Sequence, residues 1–186
     1  MLQNPPVPEP MIKTLVPVIS AFIGGLIGIT GTYMALLYQR RSERKSINAA
    51  FAGEIYALLE IVEKRDYVGT IERAIKNIRA GSRMSFSIPV TQTYFNVYFK
   101  NLDKIGLLKA PLSSKIVMFY AAVLGILDDF KILEDATVPW ESDEQYIGYL
   151  NELKSIIEYA QNLGWAILKQ SGRHWRKQAA NRLKDN

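Results

Sequence analysis

From Thr14 to Tyr38 the chain runs for about 25 residues without one charged side chain, and Gln39-Arg40-Arg41-Ser42-Glu43-Arg44-Lys45 closes the run. At about 1.5 Å per residue a helix of that length reaches roughly 37 Å, against a bilayer hydrocarbon core of about 30 Å. The spacing therefore predicts a tilted transmembrane helix over 14–38. A cleaved signal peptide is the competing reading, but it requires positive charge before a short apolar region and a small-residue cleavage site after it. Here only Glu9 and Lys13 precede the run as charged residues, and the basic cluster follows it. Basic residues close to a membrane remain on the cytoplasmic side. The expected topology is a Pro-rich tail, residues 1–13, outside the cell's inner (plasma) membrane and a cytosolic domain after it.

About 148 residues follow Tyr38, an ordinary size for one domain with its own core. Lys and Arg total 23 against 18 Asp and Glu, a net charge of +5 that suits an anionic membrane face without requiring nucleic acid. The chain has no cysteine and one histidine, His174. Disulfides, thiolate nucleophiles, zinc-thiolate sites and multi-histidine metal sites within one chain are excluded. A ferritin-like di-iron centre needs Glu-x-x-His pairs, and the residue three before His174 is Ser171.

Helical periodicity organises the remainder. Ile47, Phe51, Ile55, Leu58 and Val62 recur every three or four positions, with Glu54, Glu60, Glu63 and Lys64 between them. A second helix is predicted over Tyr67–Ala80 and ends at Gly81-Ser82; Met84–Ile88 reads as an extended connector. Tyr94, Val97, Tyr98, Leu102 and Ile105 predict a third, closed by Gly106 as a left-handed residue, with Pro111 opening the next. Ile116, Tyr120, Val123, Leu127 and Phe130 form one seam. Tyr146, Leu150, Leu153, Ile157, Ala160, Gly164 and Ile167 form another, after Ser142 as N-cap. The predicted fold is all-α: a transmembrane helix over 14–38, then an antiparallel bundle of four to five helices over 39–170 and a basic C-terminal tail over 171–186, in which 173–186 forms a frayed helix.

Within the apolar run Ser20, Gly24, Gly28 and Thr32 share a helix face, the small-residue pattern that lets transmembrane helices pack closely. A homodimer through this face is one expectation. Arg40, Arg41, Arg44 and Lys45 read as a topology signal in contact with lipid headgroups. The basic C-terminal residues Arg173, Arg176, Lys177 and Arg182 are candidates for a membrane surface or an acidic protein partner, and nucleic acid is disfavoured. Asp128, Asp129, Glu134, Asp135, Glu141, Asp143 and Glu144 make a strongly acidic stretch that matches no EF-hand spacing and reads as a charged end of the bundle.

The stretch Tyr98–Leu108 with Ile116–Tyr120 resembles a pattern seen in uncharacterised bacterial single-pass membrane-anchored helical proteins. That resemblance implies a bacterial inner-membrane setting and carries over no catalytic residue. No nucleophile, base or metal set assembles in the pattern, so no catalysis and no cofactor are expected. The function read from the sequence is a membrane-anchored interaction or scaffolding module with an unidentified protein partner. The alternatives are a membrane-bound sensory bundle with a small-molecule pocket among its tyrosines, and a tether for nucleic acid through the basic tail.

Overall fold

The computed structural model describes residues 9–82, 92–134 and 140–182, and every regular element among them is helical. They are α1 (Glu9–Lys64), α2 (Tyr67–Arg79), α3 (Asn96–Lys100), α4 (Ala110–Glu134), α5 (Asp143–Gln170) and α6 (Arg173–Arg182), with 3-10 turns at Gln92–Phe95 and Leu102–Leu107. The chain divides into one unit ending at Glu43 and a second beginning at Arg44. The described residues of the first are those of α1 from Glu9 to Glu43. Every described residue from Leu15 to Tyr38 is exposed except Leu37, which is half-buried. The helix already begins at Glu9, so Pro17 lies inside it rather than in its opening turn. There its ring removes one backbone hydrogen bond.

The second unit gathers its apolar side chains into two clusters. One joins Ile47, Phe51, Ile55 and Leu59 of α1 to Phe95, Tyr98, Ile116, Phe119, Tyr120, Ile167, Leu168 and Ala179. The other joins Tyr67, Ile71 and Ile78 of α2 to Phe130, Tyr146, Leu150, Leu153 and Ile157. The seams of α4 and α5 explain the division: α4 from Ile116 to Leu127 and the end of α5 serve one cluster, and α4 from Ile126 on with α5 from Tyr146 to Ala160 serves the other. Val123 packs against both. Each fully buried large side chain contributes about 1.5–3 kcal/mol relative to exposure.

Three close polar and steric fits lock the helices together. Glu54, which spacing alone would leave among the polar positions of α1, is turned inward. Its Oε1 accepts from the Val97 N–H at 2.7 Å, and its Oε2 accepts from the Tyr98 N–H at 3.0 Å and the Tyr120 hydroxyl at 2.5 Å. One carboxylate thus satisfies the opening amides of α3 and ties α1 to α4. The Tyr98 and Tyr120 rings stack beside it with centroids 3.9 Å apart. Gly164 of α5 is the second fit: a Cβ there would lie 2.9 Å from Phe119 and 3.0 Å from Leu59, so α1, α4 and α5 converge where no side chain fits. The third is the α1–α2 turn, where Asp66 adopts a left-handed backbone (φ 47°) and caps Gly69 N–H at 3.2 Å. A Cβ on Gly69 would fall 2.4 Å from the Asp66 carboxylate, so glycine makes room for its own cap.

Several helix ends follow the expected chemistry and others do not. Ser142 caps α5 by accepting from Gln145 N–H at 3.1 Å, with Asp143 and Glu144 in the first turn. Gly81 (φ 81°) closes α2, its N–H donating to Ile78 O at 2.9 Å. Gly106 is different: it sits inside the 3-10 turn Leu102–Leu107 without a positive φ, and the expected third helix is broken into short turns around the five-residue α3. The basic helix expected after Ser171-Gly172 is present as α6, and it is seated against the rest of the unit rather than frayed. Ala179 is fully buried, and Trp175 packs on Tyr56 with centroids 5.5 Å apart. The connector Met84–Ile88 lies outside the described residues.

Two outcomes are expected. Gly164→Leu forces a branched side chain between Phe119 and Leu59, lowering stability by about 1–3 kcal/mol; a thermal midpoint equal to wild type would contradict the close approach. Burial, then the hydrogen bond to Glu54, raises the Tyr120 phenol well above its ordinary value of 10.0. The fold favours the neutral phenol, so this contribution is intact below about pH 10 and is lost above it as the unfolded phenol ionises. Tyr120→Phe should flatten the alkaline limb of the stability curve; identical limbs in wild type and variant would refute the assignment.

Candidate functional site

In the first unit Ser20, Gly24, Gly28 and Thr32 lie on α1 and are exposed. Nothing stands within 4 Å of a Cβ built on Gly24, Gly25, Gly28 or Gly31. Thr32 donates to Gly28 O at 2.9 Å and Thr30 to Leu26 O at 2.6 Å, which hides both hydroxyls against their own helix. Gly25, Gly28, Ile29, Thr32, Tyr33 and Leu36 line a shallow open groove. Chemically this surface is apolar and smooth, suited to lipid or to another apolar helix.

The basic residues divide differently from their order in the chain. Arg40 and Arg41 belong to the first unit, whereas Arg44 and Lys45 line a groove in the second together with Asn48, Lys109, Pro111, Leu112, Lys169 and Arg176. The groove encloses about 450 Å³. Four segments supply its cations: α1, the residue preceding α4, the end of α5, and α6. No acidic side chain lines it among the described residues, and none of its five cations pairs with a described carboxylate. Arg173 and Lys177 are exposed on α6 and do not line it; of Arg182, only its place in α6 is described.

The groove walls are built by the joint between α5 and α6. Ser171 is buried; its hydroxyl donates to Ile167 O at 2.9 Å and its N–H to Leu168 O at 3.1 Å. Arg176 Nε donates to Lys169 O at 3.2 Å, and Asn48 Nδ2 donates to Ser171 O at 2.8 Å. The C-terminal carbonyls of α5 are thereby largely occupied. At the start of α4 the Leu112 and Ser113 N–H groups donate to Lys109 O at 2.9 and 3.0 Å, and Pro111 has no N–H to offer. The first turn of α4 holds no acidic residue. The positive character of the groove therefore comes from its side chains. Lys109 was not singled out by sequence reasoning, because it stands alone between apolar residues and its significance comes only from tertiary convergence.

Three tyrosine hydroxyls have partners within the unit. Tyr120 bonds Glu54, Tyr149 donates to Asp129 at 2.8 Å, and the Tyr67 hydroxyl accepts from Arg65 at 3.2 Å. An apolar cavity among Leu58, Tyr67, Phe95, Phe119 and Ile126 measures about 60 Å³. That is well below the ~150 Å³ that admits a benzene-sized molecule. In the acidic stretch, Asp128 pairs with Lys131 at 2.7 Å. Among the described residues no three metal-ligating side chains come together.

Comparison with protein-family models, with curated proteins and with solved structures gives no match to this chain.

Proposed function

We propose that the chain is a single-pass protein of the inner (plasma) membrane, anchored by 14–38 with its N-terminus outside. On this reading the unit from Arg44 is a cytoplasmic antiparallel helical bundle that serves as a non-enzymatic interaction or scaffolding module. The observation that carries the reading is the uncharged stretch of α1, long and apolar enough to cross a membrane, with its large side chains facing outward: Phe22 is 70%, Ile29 71% and Tyr38 77% exposed. Leaving such a surface in water is costly, at about 25 cal/mol per Å² of apolar area. Lipid removes that cost.

The interaction role draws on α4, which is apolar on two sides. Its seam faces inward, yet Val117 (44% exposed) and Met118 (50%) remain on its outer side, with Ala121 and Gly125 exposed one and two turns on, up to Asp128. An exposed apolar patch of this kind suits a protein partner.

Alkaline carbonate extraction of cells making the full chain should leave it in the membrane pellet, and C-terminal reporter fusions should be active only as cytoplasmic reporters. A freely soluble product, or an external C-terminus, would overturn the anchor. Gly24→Leu with Gly28→Leu should reduce self-association in membranes several-fold, and undiminished association would remove the dimer. Val117→Glu with Met118→Glu should abolish partner crosslinks formed in native membranes while leaving the far-UV spectrum unchanged. Crosslinks of equal yield would place the partner elsewhere.

A further inference from the structure

We propose that the groove between α1, α4, α5 and α6 binds a phosphate-bearing anion. Arg44, Lys45, Lys109, Lys169 and Arg176 converge on it, and no described carboxylate answers them. Five like charges facing one concavity repel one another, and a multiply charged anion relieves that repulsion. Lys109, Pro111 and Leu112 at the start of α4 form one wall, to which Lys109 brings the charge. The opposing negative end of α5 is neutralised by Ser171, Arg176 and, through Ser171 O, Asn48. At about 450 Å³ the groove has the capacity of an ordinary small-ligand site.

Arginine and lysine have distinct parts here. The Arg176 guanidinium uses Nε on Lys169 O, which orients its remaining N–H groups; a planar fork of this type matches phosphate oxygens. Lys45, Lys109 and Lys169 act as point charges on flexible stems. Leu108, Pro111 and Leu112 give the same groove an apolar strip. A phosphate joined to a less polar body, a lipid headgroup or a soluble phosphate ester, fits both surfaces. The lipid source rests on the membrane reading above; the soluble source does not.

The test uses the full chain and reads tryptophan fluorescence during heating, since Trp140, Trp165 and Trp175 all lie in the unit beginning at Arg44. In one arm the protein is in neutral detergent at constant ionic strength with or without inorganic pyrophosphate. In the other it is in nanodiscs of phosphatidylcholine alone or with phosphatidic acid added. The proposal expects the thermal midpoint to rise by a few degrees in at least one arm. Lys109→Glu with Lys169→Glu should remove that rise and weaken apparent affinity by about tenfold or more. Neither side chain makes a described hydrogen bond or ion pair. Lys76→Glu with Lys104→Glu changes charge equally at exposed positions that do not line the groove and should retain the rise.

A rise with phosphatidic acid alone assigns the site to a headgroup, and a rise with pyrophosphate assigns it to a soluble anion. No rise in either arm, or an equal rise in both double variants, overturns the groove. A protein that binds pyrophosphate but leaves the membrane on carbonate extraction sinks the anchor and keeps the groove. Retention in the membrane without any rise does the opposite.

Discussion

The Glu54 carboxylate organises the helical unit. A carboxylate half-buried against a core is favoured when its lone pairs are taken, and here two backbone amides and one phenol take them. Removing any donor leaves charge in a poorly solvated place; removing the acceptor strands the opening amides of α3. The consequence reaches beyond the three bonds. Because α3 and the turn Leu102–Leu107 hang from this point, so does Leu108, which is buried, and with it the position of Lys109 at the head of α4.

How much of this was legible in the amino-acid order depends on the range of the interaction. The seams of α4 and α5 and the Ser142 cap are local patterns, and the positions from Ile116 to Phe130 and from Tyr146 to Ile167 face inward as their spacing predicts. Periodicity records which face is apolar and says nothing of a glutamate recruited by amides 43 and 44 positions away. Gly106 was misread for a related reason. Glycine permits positive φ without requiring it, and the residues that use it here are Gly81 and Gly172.

The C-terminal segment is legible as a basic helix but not as a docked one. Arg173, Arg176 and Lys177 dominate its composition, which suggests a solvated end. Two residues, Trp175 against Tyr56 and Ala179 in the core, are enough to seat it. The groove was illegible for the same reason: its five cations are scattered from Arg44 to Arg176, and no run of sequence contains more than two of them.

The α5–α6 joint has a thermodynamic corollary. A ten-residue helix is too short to persist by itself in water, so α6 exists on loan from its contacts with Tyr56 and the core. Its release would open one wall of the groove while α4 and α5 stayed packed. Occupancy and order are then two readings of a single equilibrium: whatever grips Arg176 also winds the end of the chain.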